Sequence, residues 1–186
     1  MTGLAIFTAI IVVLQVLCTF VRFGPFSITL ALAPIIIATA IYGKGAGAYL
    51  GGVFGLVVLI TGLLGWDGGT VMLLMGLNPI GCIVVCIGKG ILAGYLSGIV
   101  YRAIAKKNSL LAVITAGVVC PVVNTGLFII GMLVFFGSTL QSWAGGANVI
   151  YFAVFGLAGI NFVVELLVNL VLSSGITTVI RYASRN

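Results

Sequence analysis

Apolar runs close to twenty residues long recur along this 186-residue chain, separated by short turns rich in Gly, Pro, Asn and basic residues. Only 5% of the residues are charged against 62% hydrophobic, and the mean hydropathy is +1.41. A soluble domain carries about 25% charged residues, so this chain lacks the charge to cover a water-facing surface. Soluble globular and disordered classes are excluded. Nucleic-acid binding goes with them, because the net charge of +6 sits in a few turns and forms no basic face. What remains is an all-α integral membrane protein, each span using about 20 apolar residues.

The turn residues divide the chain into six expected spans, at about 4–21, 28–42, 46–64, 80–101, 109–136 and 149–180. The pattern predicts one compact six-helix transmembrane domain over residues 1–186. Met1-Thr2-Gly3 lacks the basic start of a signal peptide, so the first run reads as a retained span. Val71–Leu77 is apolar but too short to cross, and reads as a lid or re-entrant piece before Asn78-Pro79. Pro121 is an expected kink, and Gly156 and Gly159 are the weak points of the long last span. With six spans, the N-terminus, Lys44, Arg102, Lys106, Lys107, Arg181 and Arg185 share one side. Arg22 and Asp67 lie on the other. The positive-inside rule makes the basic side, and so both termini, cytoplasmic.

Reactive chemistry is scarce. There is no histidine, and the two carboxylates, Asp67 and Glu165, are far apart in sequence. Cys18, Cys82, Cys86 and Cys120 lie inside apolar stretches. Cys82 and Cys86 are one helical turn apart, without further ligands for a metal, and read as packing residues. No enzyme activity, cofactor or metal site is expected. Glycine is abundant, 27 residues. The series Gly43, Gly47, Gly51, Gly55 and Gly90, Gly94, Gly98 repeat every four residues, which on helices makes smooth faces for close packing.

The informative residues are the polar ones inside the spans. Lys89 and Glu165 each cost about 2.5–3.5 kcal/mol at mid-membrane. Asn124 lies in the fifth span, while Asn161 and Asn169 flank Glu165 on one face of the sixth. Counting about 1.5 Å per residue from the cytoplasmic ends puts Lys89 roughly 18 Å deep, Asn124 roughly 22 Å and Glu165 roughly 24 Å. One reading is an ion pair between Lys89 and Glu165 that locks two spans together. The other is a polar pocket open to the outside and lined by spans 4–6, favoured because a pair used only for packing is replaceable by apolar residues. Trp66, Trp143, Phe23 and Phe26 in the outer loops suit interfacial anchoring, or closure over a ligand.

Ser27-Ile-Thr-Leu-Ala-Leu-Ala-Pro34, Tyr42-Gly-Lys-Gly-Ala-Gly-Ala-Tyr-Leu-Gly-Gly-Val-Phe-Gly55, Lys89-Gly-Ile-Leu-Ala-Gly94 and Cys120-Pro-Val-Val-Asn-Thr-Gly126 occur in that order. With six short apolar helices they resemble the substrate-binding (S) components of energy-coupling factor (ECF) vitamin transporters, over nearly the whole chain. The resemblance implies a multi-pass subunit of a prokaryotic plasma membrane that captures a vitamin outside. It also implies delivery inward by a transmembrane coupling subunit and two ABC-type ATPases. Ala5-Ile-Phe-Thr-Ala9 is similar to the family's helix-1 motif for docking on the coupling subunit. Lys89, Asn124 and Glu165 become the binding candidates, with Asn161, Asn78 and Trp66 after them. A lysine favours a carboxylate ligand, so pantothenate is the first expectation. Riboflavin, cobalamin, biotin and pyridoxine are the alternatives within the family. A self-contained channel or secondary transporter is the rival outside it, though no convincing inverted repeat supports one.

Overall fold

The apolar runs become helices. The structure, a computed structural model, describes residues 2–20, 29–159 and 162–172, and no strand occurs among them. Helix α1 spans Thr2–Thr19, α2 Leu32–Tyr42, α3 Lys44–Leu63 and the short α4 Thr70–Leu77. Helix α5 runs Pro79–Ala105 with a π-helical insert at Val84–Gly88. It is followed by α6, Ser109–Phe135, and α7, Gly137–Trp143. Helices α8, Val149–Leu157, and α9, Phe162–Leu172, meet at 42°.

Helices α1, α3, α5 and α6 are each long and apolar enough to cross a membrane, and α8 with α9 makes a fifth crossing if the bent pair is one span. Helix α2 has 11 residues, a rise of about 16 Å against a hydrocarbon core of about 30 Å. Among the described residues the count is therefore four to five where six were expected. The end of the expected 149–180 span lies outside them. The bend between Val149–Leu157 and Phe162–Leu172 falls in the span expected to be weakened by Gly156 and Gly159. The expected kink at Pro121 does not divide α6, which stays one helix on both sides of it.

Local chemistry sets the corners. Asn78, Asn108 and Asn148 each precede a helix and accept from its first backbone N–H groups, with Oδ1–N distances of 3.0–3.1 Å. Gly43, at φ +96°, takes the left-handed conformation that turns α2 into α3. The expected glycine faces meet each other. Gly47 and Gly51 of α3 lie on the backbones of Gly94 and Gly90 of α5, leaving no room for a side chain between them.

Two apolar layers result. One joins α1, α2, α3, α5 and α6 around Ile11, Leu32, Leu50, Phe54, Ala93 and Ala116. The other joins α3 to α8 around Val71, Leu74, Val85, Met132, Phe136 and Leu140. At one end Phe7 meets Tyr42 edge-on at 6.3 Å, Arg102 lies against Gly43, and the Lys44 ammonium is 5.2 Å from the Tyr95 ring. At the other end Phe20 packs on Trp66 at 5.7 Å.

Candidate ligand-binding site

Lys89 is the first residue after the π-helical insert of α5, and it points between the two apolar layers. Its ammonium is 5.0 Å from the Phe128 ring and 6.0 Å from the Phe54 ring. Both distances suit a cation–π contact in a dry setting. A cavity of about 60 Å³ opens beside it, lined by Gln15, Thr19, Thr29, Thr61, Asp67 and the side chains of Phe54, Val58 and Val71. A second, of about 40 Å³, lies on the other side among Leu74, Cys82, Val85, Cys86, Phe128 and Phe136. Lys89, Val58 and Val71 belong to both walls.

Glu165 of α9 is 4% exposed, with Thr29 in hydrogen-bonding reach and Lys89 close enough for the two charges to act on each other. Lys89 nevertheless forms no ion pair within 4.0 Å among the described residues. Asn124 is also 4% exposed and precedes Phe128 by one helical turn on α6. Among the described residues, Gln15 Oε1, Asn124 Oδ1 and Glu165 Oε2, like Thr39 Oγ1 elsewhere in the bundle, are buried without a hydrogen-bond partner. Buried polar atoms are nearly always paired, and of these only Gln15 shares a cavity wall with Lys89.

The other expected residues are placed differently. Asn78 Oδ1 accepts from Gly81 N at 3.0 Å, so that oxygen holds the start of α5. Trp66 is 39% exposed and its ring lies on Phe20 at the mouth of the bundle. Asn161 lies outside the described residues. Ala5 and Ala9 are exposed on α1. Val71–Leu77, expected as a lid or re-entrant piece, is the helix α4. Asp67 fixes its start, accepting from Gly69 N at 2.9 Å and Val71 N at 2.7 Å. The Cys82 thiol reaches the Val71 carbonyl at 3.8 Å, tying α4 to α5.

Sequence reasoning missed Gln15, Thr19, Thr29, Thr61 and Asp67 as lining residues. Gln15 carried a signal, being the one side-chain amide in an otherwise apolar span. The threonines carried none, since a threonine in a span can satisfy itself on its own helix. A larger cavity, about 630 Å³, runs between α6 and the bent pair α8–α9 past Val122, Ile129, Phe155 and Phe162. It has no charged group and suits acyl chains better than a polar solute.

The chain matches the family described as "ECF transporter, substrate-specific component" over residues 1–181. It is 30% identical over 195 residues to the pantothenic acid transporter PanT of Lactococcus lactis subsp. cremoris (strain MG1363), covering 98% of this chain and 94% of that protein. Among solved structures, ThiT from Listeria monocytogenes superposes with a TM-score of 0.64 at 18% identity, over 98% of this chain and 93% of that one. At that identity the likeness shows a shared fold.

Proposed function

We propose that this chain, which belongs to the substrate-specific component family of ECF transporters, captures pantothenate at the Lys89 site and delivers it inward. It is a multi-pass transport subunit of the prokaryotic plasma membrane. The observation that carries the substrate is the chemistry around Lys89. A cation with no ion pair within 4.0 Å among the described residues shares a cavity wall with the buried acceptor Gln15 Oε1, with the buried Glu165 carboxylate close enough to feel its charge. Such a site calls for one anionic group and several hydrogen-bond donors. Pantothenate has a carboxylate, two hydroxyls and an amide N–H. The identity to a pantothenic acid transporter supports the same reading. The aromatic area at Lys89 comes from Phe54 and Phe128 alone among the cavity-lining residues beside the second layer's Phe136, which suits an aliphatic ligand better than a flavin.

In this reading Lys89 holds the carboxylate, while Asn124 and Glu165 take donors, and Asn161 stays a further candidate from the sequence. Trp66 guards the mouth and Asn78 sets the corner on which α4 turns. The two cavities are far below the roughly 300 Å³ at which small-molecule sites begin, so admission requires one wall to move. Helix α4 is that wall. It carries Val71, shared by both cavities, and follows Gly65, Gly68 and Gly69, all with φ of +76° to +83°.

The chain forms a single six-span domain with α2 completing a crossing and both termini cytoplasmic. The basic end with Lys44, Arg102, Lys106 and Lys107 faces inward. The sequence has no nucleotide-binding motif, so ATP hydrolysis falls to two ABC-type ATPases, working through a transmembrane coupling subunit docked at Ala5 and Ala9. The test is calorimetry and native mass spectrometry of the full chain in nanodiscs against pantothenate, riboflavin, biotin, pyridoxine and cobalamin. Near-stoichiometric pantothenate binding is expected. Selective binding of another vitamin, with pantothenate inert, overturns the substrate assignment.

A further inference from the structure

Gln15 is buried beside Lys89 and has no assigned role in the reading of that site. It is 1% exposed, it lines the cavity beside Lys89, and its Oε1 has no partner among the described residues. It also belongs to α1, the helix whose other face carries Ala5 and Ala9. An unpaired buried acceptor destabilises a fold, whereas an apolar residue of the same shape is tolerated there.

Several groups beside Gln15 in this cavity have acceptor capacity. The Thr61 hydroxyl gives its proton to the Val57 carbonyl at 2.9 Å, with Val58 O at 3.2 Å as a second acceptor. The Thr19 hydroxyl gives its proton to the Gln15 carbonyl at 2.8 Å. A hydroxyl whose proton is engaged in this way has only lone pairs to offer. Asp67 takes two backbone N–H groups and, as a carboxylate, has acceptor capacity beyond them. The cavity that Lys89 lines therefore also presents acceptors: Gln15 Oε1, Asp67 and the Thr61 oxygen.

We propose that this set of acceptors is a donor-reading subsite, in which Gln15 Oε1, aided by Asp67 and Thr61, accepts O–H or N–H groups of the bound molecule and sets specificity. The ligand class is a small carboxylate bearing hydroxyl or amide N–H donors at its far end. The inference rests on the reading of Lys89 as the carboxylate anchor. A carboxylate with a bare hydrocarbon tail would satisfy Lys89 and leave Gln15 unpaired inside the protein. Sites built to bind a hydroxyl reject analogues lacking it far more strongly than apolar pockets reject an extra methylene.

The test uses the full chain in nanodiscs, with pantothenate and its analogue in which both hydroxyls are replaced by hydrogen. The wild type should prefer pantothenate by roughly tenfold or more. Gln15→Met, similar in length but without the acceptor, should weaken pantothenate roughly tenfold and leave the dideoxy analogue within about twofold. Its melting temperature without ligand should equal or exceed that of the wild type. Thr61→Val should shift the preference the same way, by less. Equal loss for both ligands in Gln15→Met, or no loss for either, overturns the subsite. If Gln15→Met does not fold, the same ligand pair on Thr61→Val decides, and an unchanged preference there overturns it. Retained pantothenate binding that depends on Lys89 but ignores Gln15 leaves the substrate reading standing and removes only the subsite. A wild type that binds another vitamin and no pantothenate removes both.

Discussion

The glycine seam between α3 and α5 yields the most quantitative expectation. A methyl group added at Gly51 would overlap the Gly90 carbonyl, and one added at Gly90 would overlap the Gly51 carbonyl. Overpacking a tight core costs about 1–3 kcal/mol. Here the obstacle is helical backbone, which yields only if a whole helix shifts, so the upper part of that range applies. Against it stands the gain of about 1 kcal/mol from replacing glycine by alanine inside a helix. Gly126 of α6 provides the control, since an added methyl there meets nothing within 4 Å. The helix-propensity gain is common to Gly51→Ala and Gly126→Ala and cancels between them. The difference in stability should then be the overlap alone, about 2–3 kcal/mol. Reversible unfolding in mixed micelles, with each variant measured against the wild type, gives that difference directly. Gly51→Ala should unfold earlier and Gly126→Ala at or above the wild type. Equal stabilities would show that the two helices are free to separate, and that the seam is not a constraint.

Two further outcomes follow from the site. Lys89→Met should weaken pantothenate by roughly tenfold to 150-fold, the range of a hydrogen bond to a charged group at about 1.5–3 kcal/mol. The unliganded fold should be no less stable, because a cation that costs about 2.5–3.5 kcal/mol at mid-membrane is removed; calorimetry and a thermal melt read the two effects, and undiminished affinity refutes the anchor. Asp67→Ala removes both acceptors at the start of α4, a cap worth about 1 kcal/mol. Hydrogen exchange over 70–77 should accelerate several-fold while α5 and α6 stay protected, and pantothenate should leave faster; unchanged exchange there would separate α4 from gating.

How far the sequence revealed this molecule depends on whether the signal was local. The four-residue glycine spacing could be read because it is a property of single helices, and Gly47 and Gly51 do meet Gly94 and Gly90. Lys89 and Glu165 could be read because an ionisable group in a span demands an explanation wherever its partner lies. Gln15 escaped because a neutral amide in a span is cheap enough to pass unnoticed, and its meaning depends on α5 lying across from it. Asn78 was ambiguous for a different reason. Before Pro79 it has the chemistry of both a ligand and a helix cap, and the cap is what the Gly81 hydrogen bond shows. The π-helical insert at Val84–Gly88 contains only Gly88 as a weakening residue, one glycine among many in these helices, yet it sets the register from which Lys89 projects.

Helix α1 joins the two halves of the proposed mechanism. Ile11, Gln15 and Cys18 are buried, whereas Ala5 and Ala9 are exposed about half a helical turn away, together with Ile6, Ile10 and Val13. Small residues at that spacing let another helix approach closely, and a bulky residue there would hold it off without reaching the cavity. Ala5→Trp and Ala9→Trp should therefore leave pantothenate affinity within about twofold, since Gln15 and Lys89 are untouched. Uptake into cells or proteoliposomes containing the complete transporter should fall roughly tenfold or more. A loss of binding along with transport would mean that the tryptophan disturbs the fold or the site. Intact transport would mean that the coupling subunit docks on another face. Only binding retained with uptake lost fits a helix that touches the vitamin on one side and the motor on the other.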